Sequence, residues 1–177
     1  MFIAELISPM KQKIRNSFIL LLVLANAGCD QISKNVAREQ LDYYETVNVI
    51  GEHLILTKIE NTGAFLSAGD SLDSSVKFLF LSILPLIALC YGIYYLLTHS
   101  QLPRLLVLGI CFVIGGGLGN LYDRIIFGSV TDFLHIDFFV IKTGIFNLAD
   151  VSIMIGMIMI IINLYIKRLL PATESDM

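Results

Sequence analysis

Hydrophobic residues lie along this chain in long blocks, and polar residues gather where the blocks end. Val76 to Leu97 is an almost unbroken apolar run, long enough as a helix to cross a hydrocarbon core of about 30 Å. Phe146 to Ile166 predicts another span and carries Asn147 and Asp150 in its first turn. Leu105 to Leu121 is shorter, and its glycines and terminal Asn120 suit a helix packed closely against neighbours. Ser17 to Ile32 is the fourth candidate, interrupted by Asn26, Gly28 and Asp30. The spans fall at about 17–34, 76–97, 105–122 and 146–167. Between the first two, ETVNVIGEHLILTKI alternates in places around Gly51, which predicts a hairpin within Leu41 to Lys58. The following NTGAFLSAGDS reads as turn-rich loop. The expected fold is therefore membrane all-α: a four-transmembrane-helix bundle with a small extracytoplasmic β-sheet, a cradle, between helices 1 and 2. One domain over 1–170 and a disordered tail over 171–177 complete the picture.

Composition agrees with that pattern. Of 177 residues, 56% are hydrophobic and only 15% charged, too apolar for a soluble domain of this size. Basic residues set the orientation. Lys11, Lys13 and Arg15 precede the first span, Arg104 separates the second and third, and Lys167 and Arg168 follow the last. All are expected to face the cytoplasm, with both termini. Asn35 to Ser75 and Tyr122 to Ile145 then lie outside. A net charge of −3 without a basic patch argues against nucleic acid as a partner. Cys29, Cys90 and Cys111 fall within spans without a metal-ligand spacing and read as small packing residues. His53 and His135 read as surface residues.

Candidate chemistry concentrates at the outer helix ends, where an ionisable group beside a bilayer is costly. Asp150 lies three residues after Asn147, on the same face of the helix start, and Asp132 precedes the apolar FLHIDFF. Two carboxylates brought together there cannot both ionise cheaply, which supplies an acid and a base at one site. The ionised one can take a proton from water while the protonated one hydrogen-bonds a peptide carbonyl, with neither metal nor covalent intermediate. The plainer alternative is that Asp150 caps its helix and Asp132 pairs with a basic residue. Asp123 and Arg124 are adjacent in a helix, point different ways and each need another partner. Arg124 is a candidate to position Asp132 or a substrate backbone, or else an anchor at the membrane surface. Asp30 and Lys34 make an (i, i+4) pair. Asn61 and Asn120 are substrate-backbone ligands or turn formers, and Gly115 with Gly119 has the spacing of close helix packing.

DQISK (Asp30 to Lys34), ENTGAF (Glu60 to Phe65), GGGLGNLYDR (Gly115 to Arg124), GSVTDF (Gly128 to Phe133) and FNLAD (Phe146 to Asp150) occur in one order on helix ends. Together they resemble the lipoprotein signal peptidases, also called signal peptidase II. The resemblance implies an aspartyl endopeptidase of the bacterial inner membrane that removes signal peptides from diacylglyceryl-modified prolipoproteins, just before the lipidated cysteine. It makes Asp132 and Asp150 the catalytic dyad. Asn120, Asp123, Arg124 and Asn147 then organise the site, Asn61 helps hold substrate, and Asp30, Lys34, Gly63 and Gly116 give structural support. It implies no metal or cofactor, prolipoprotein and membrane lipid as partners, a monomer, and a site near the outer face. The segment from Asp137 to Gly144 is expected to be a loop that closes over substrate. GAFLS stands where the family commonly has two alanines before Phe and then Ser, which shifts Phe65 and Ser67, and GGGLG stands where an alanine is common.

Two other readings compete. Met10 to Cys29 has the basic start, apolar core and Ala-Gly-Cys ending of a lipoprotein precursor, although Asn26 occupies a position that normally holds an aliphatic residue. A transporter or channel predicts acids near mid-span on several helices, whereas here they cluster at the ends.

Overall fold

The computed structural model describes residues 12–63, 73–138 and 141–169. Helix α1, Gln12–Gln40, is 29 residues long and runs about 43 Å. It continues past the expected end because its buried residues keep helical spacing: Arg15, Ile19, Val23, Asp30, Lys34 and Ala37 form one inward stripe. Cys29 is exposed within that continuous helix, which leaves no extended segment for precursor cleavage before it. Cys90 is also exposed, and Cys111 alone packs in the core as expected for all three.

Helix α2, Ser74–Thr98, starts where the Asp73 side chain accepts a hydrogen bond from Ser75 N at 2.8 Å. Leu79–Ile83 within it is π-helical. Pro85 explains this, since it has no N–H for residue 81 and its ring crowds that carbonyl. Arg15, expected at the membrane surface, is fully buried. Its guanidinium donates to the backbone carbonyls of Leu96 and His99, closing the C-terminal end of α2 against the start of α1.

Helix α3, Arg104–Ile126, is the central helix, and its glycines explain why. A methyl group on Gly115 would stand 2.5 Å from Asn26 Cβ on α1. One on Gly119 would strike Asp30. The opposite face meets helix α4, Leu148–Leu169, where a methyl on Gly116 would collide with the Ala149 carbonyl and lie 2.9 Å from Ile153 Cγ1. Gly116→Ala is therefore expected to destabilise by about 2 kcal/mol. Thermal unfolding in detergent checks this; a wild-type Tm would show that the helices can part freely. α2, α3 and α4 are long and apolar enough to cross a membrane.

The sheet is larger than expected. Strands β1, Val47–Ile50, and β2, Leu54–Asn61, turn at Gly51 with φ +54° as the sequence predicts. They are joined by β3, Val130–Phe138, and β4, Ile141–Phe146, in the antiparallel order β1-β2-β3-β4. So the sheet does not lie only between the first two helices, and Ile141 to Gly144 is strand rather than closing loop. Asn61 ends a strand opposite Val130 and is not in a loop. Phe133 packs on Ala37 and Leu41, which seats the sheet on the C-terminal end of α1. His53, in the β1–β2 turn, and His135, in β3, are half-buried rather than exposed; His53 Nδ1 lies 2.9 Å from the Asp137 carbonyl, and its ring stacks on Phe138. Phe65 and Ser67, and the tail over 171–177, fall outside the described residues.

Candidate active site

Strand β3 and the first turn of α4 deliver the two acids. Asp132 is opposite Ile59 in the β2–β3 ladder and is 2% exposed. Both of its oxygens accept side-chain amide hydrogens: Oδ1 from Asn147 Nδ2 at 2.6 Å and Oδ2 from Asn61 Nδ2 at 3.0 Å. Asn147 precedes α4 and makes a reciprocal cap with Asp150. The Asn147 N–H donates to Asp150 Oδ2 at 3.1 Å, and the Asp150 N–H donates to Asn147 Oδ1 at 3.0 Å. The capping role of Asp150 is thus real, and it coexists with a place beside Asp132. One asparagine touches both acids.

The remaining oxygen of Asp150, Oδ1, accepts from Asn120 Nδ2 at 2.9 Å. Asn120 Oδ1 in turn accepts from Lys34 Nζ at 2.8 Å. Asn120 is therefore a relay between a buried cation and a carboxylate, not a turn former. Lys34 also pairs with Asp30 Oδ2 at 2.8 Å and Asp123 Oδ2 at 3.3 Å, all three fully or almost fully buried. Asp30 Oδ1 accepts the Ala149 N–H at 2.9 Å, so α1 helps cap α4.

Asp123 and Arg124 do separate. Asp123 pairs with Arg38 at 2.8 Å and accepts the Thr131 N–H at 3.1 Å, tying α3 to β3. Arg124 donates to the Gly63 carbonyl at 3.0 Å and makes no direct bond to Asp132 among the described residues; its buried Nε has no hydrogen-bond partner among them. Gly63 N–H donates to Asn61 Oδ1 at 3.0 Å, which fixes the amide that faces Asp132. A cleft of ≈ 410 Å³ is lined by Asn61, Asn120, Arg124, Asp132, Asn147 and Asp150, with Leu81 and Pro85 of α2 opposite.

Sequence reasoning missed Arg38, Glu60, Ser129 and Thr131. Glu60 accepts from Ser129 Oγ at 2.6 Å and Thr131 Oγ1 at 3.0 Å, and Arg38 Nε donates to Thr131 Oγ1 at 2.9 Å. The available signal was Glu60 and Arg38 within otherwise apolar or turn segments, but their partners are dozens of residues away.

Burial pushes the Asp132 carboxyl up to about 6, aided by the charge of Asp150 and opposed by the amides of Asn61 and Asn147. Asp132 then keeps its proton into the mildly acidic range.

Fold and site together define a membrane enzyme: apolar helices, a small antiparallel sheet seated on them, and a cleft where two acids meet. The chain belongs to the signal peptidase II family, whose pattern matches residues 20–166. It is 32% identical over 148 residues to a lipoprotein signal peptidase of Streptococcus pneumoniae, covering 84% of this chain and 92% of that protein. It is 36% identical over 156 residues to one from Moorella thermoacetica, covering 88% and 95%. A bacterial membrane enzyme solved by the in meso method at 2.3 Å superposes with a TM-score of 0.79 at 27% identity, over 95% of this chain and 96% of the other. A second, solved at 1.9 Å, gives 0.73 at 30% identity over 89% and 95%.

Proposed function

We propose that this protein is an aspartyl endopeptidase of the bacterial inner membrane that cuts the signal peptide from diacylglyceryl-modified prolipoproteins, just before the lipidated cysteine. The observation that carries the mechanism is the sharing of Asn147 between Asp132 and Asp150 at the wall of one cleft. Asp132 holds the proton and hydrogen-bonds the scissile carbonyl. Asp150, half-buried and facing the cleft, takes a proton from water, which attacks the carbonyl carbon. The protonated acid then serves the departing amine, so the dyad returns to its starting state without a covalent intermediate. Arg124 lines the cleft, where its guanidinium is placed to meet the substrate backbone. Asn61, Asn120, Asn147 and Asp123 hold the acids in place; Asp30, Lys34, Gly63 and Gly116 support them.

In this reading α1 spans the membrane too, giving four spans. Its polar stripe points into the protein and its outward side carries Ile14, Leu21, Leu24 and Ile32, all exposed. Arg15 brings the basic start of α1 to the α2–α3 turn, so the basic ends share one side, the cytoplasmic one. The sheet and dyad then lie near the outer face, and the protein acts as a monomer.

The test is cleavage of a diacylglyceryl-modified prolipoprotein by purified protein in detergent with a metal chelator present. Full activity is expected, because among the described residues no three His, Cys, Asp or Glu side chains come together as a metal site. Activity lost to chelator and restored by added metal would overturn the dyad mechanism.

The pH dependence follows from Asp132. Its proton is held below about 6 and lost above it, so kcat/KM is expected to decline as pH rises through that range. The limb in kcat is expected at higher pH, since bound substrate excludes more water. Rate profiles between pH 5 and 9 check this (about these limits); a kcat/KM that rises steadily across the range would reverse the assignment.

A further inference from the structure

Beside the catalytic cleft runs a second, almost wholly apolar groove of ≈ 320 Å³ between the β3–β4 hairpin and α4. Ile136, Gly144, Ile145, Val151, Ile155 and Ile158 line it, and Asp150 stands at one end. It is continuous with the cleft, because Asp150, Ile145 and Met154 border both. We infer that this groove receives one acyl chain of the lipidated substrate, so that the chain enters beside Asp150 and lies along α4. The inference rests on the proposed prolipoprotein substrate and adds where its lipid goes.

Three observations carry it. The lipid hangs on the residue next to the scissile bond, so its pocket must open at the dyad; this groove begins at Asp150. From Asp150 to Ile158 the helix advances about 12 Å, against about 15 Å for one leaflet's half of the hydrocarbon core. Met154, Ile155 and Ile158 are exposed on the lipid-facing side of α4, so a chain can slide in sideways without leaving the bilayer. A signal-peptide helix is about 10–12 Å across and does not fit such a volume. The opposite wall of the cleft, at Leu81 and Pro85, is left for the peptide.

The groove cannot act by hydrophobic gain, since lipid tails are as apolar as its walls. Its effect is alignment. A scissile bond misplaced by about 1 Å can cost about a hundredfold in rate.

The experiment uses the full-length protein in detergent with peptides carrying diacylglyceryl-cysteine, either dipalmitoyl or dibutyryl. Ile158→Trp, which fills the deep end, is expected to lower kcat/KM for the dipalmitoyl substrate by about tenfold or more and for the dibutyryl one by less than about twofold. Leu164→Trp, exposed further along the same helix, is the folding and bulk control and is expected to change neither. Equal loss for both chain lengths in Ile158→Trp would overturn the groove. Independently, a dipalmitoyl substrate with a diazirine midway along one acyl chain, bound to Asp132→Asn protein, is expected to label Val151 to Ile158. Label on α2, or spread along Ile161 to Tyr165 as for bulk lipid, would also overturn it. Failure of wild type to cut either lipidated peptide counts against the peptidase reading, whereas the labelling pattern reports on the groove by itself.

Discussion

Asp132→Asn and Asp150→Asn are each expected to lower kcat/KM for prolipoprotein cleavage by roughly a thousandfold or more, the range that an acid or base supplies. Neither variant is a silent isostere. Asp132 accepts hydrogen bonds on both oxygens from Asn61 and Asn147. Those amides cannot turn over freely, because the Asn61 oxygen is held by the Gly63 N–H and the Asn147 oxygen by the Asp150 N–H. An amide at 132 therefore points an NH2 group at another NH2 group. The same holds at 150, where the Asn147 N–H and Asn120 Nδ2 are both donors. Each variant is expected to lose about 1–3 kcal/mol of stability from the mismatched pair. The outcome to look for is folded, membrane-inserted protein with a modestly lowered Tm and almost no cleavage. Activity within about tenfold of wild type in both variants would remove the dyad.

Much of the helical framework was legible because a bilayer-length apolar block is a strong local signal. The ends were less so. α1 runs to Gln40 since its late polar residues, Asp30, Lys34 and Arg38, are satisfied by α3 and the sheet, which nothing in their own spacing announces. The first hairpin showed itself through Gly51 and alternation. The second hid because its apolar groups serve two neighbours: Phe133 and Leu134 pack with Ala37 and Leu41 of α1, while Ile136 lines the groove beside α4. Leu134, Ile136 and Phe138 do alternate with His135 and Asp137, but Asp132 and Phe133 break that alternation at the start of the strand, and β3 and β4 read as an apolar run and a loop. The candidate residues were legible as types, acids and amides out of place beside apolar spans. Their partners were not. The Lys34–Asn120 bond spans 86 residues and the Asn61–Asp132 bond 71. Arg15 misled for a related reason: a basic residue before a span reads as a surface charge, but two helix-end carbonyls bury it.

Lys34→Met is expected to have the second largest effect, on stability and on catalysis by separable routes. Lys34 and Arg38 balance Asp30 and Asp123 in a buried cluster. Removing one cation leaves an uncompensated carboxylate there, which costs about 3–5 kcal/mol. The catalytic route runs through Asn120. Lys34 holds its oxygen and so turns its NH2 towards Asp150. Without the lysine the amide is free to rotate and present its oxygen to the carboxylate, an acceptor facing an acceptor. A double variant separates the two. Lys34→Met with Asp30→Asn removes the excess charge while keeping an oxygen for the Ala149 N–H, so most of the lost Tm is expected to return. The activity is not, because Asn120 still lacks its anchor; kcat is expected to stay down by about tenfold or more, the scale of a misplaced catalytic group. Recovery of kcat in step with Tm would make Lys34 a partner in folding alone. Recovery of Tm without kcat would place the lysine in the chain of contacts that orients the base, reaching Asp150 through one asparagine.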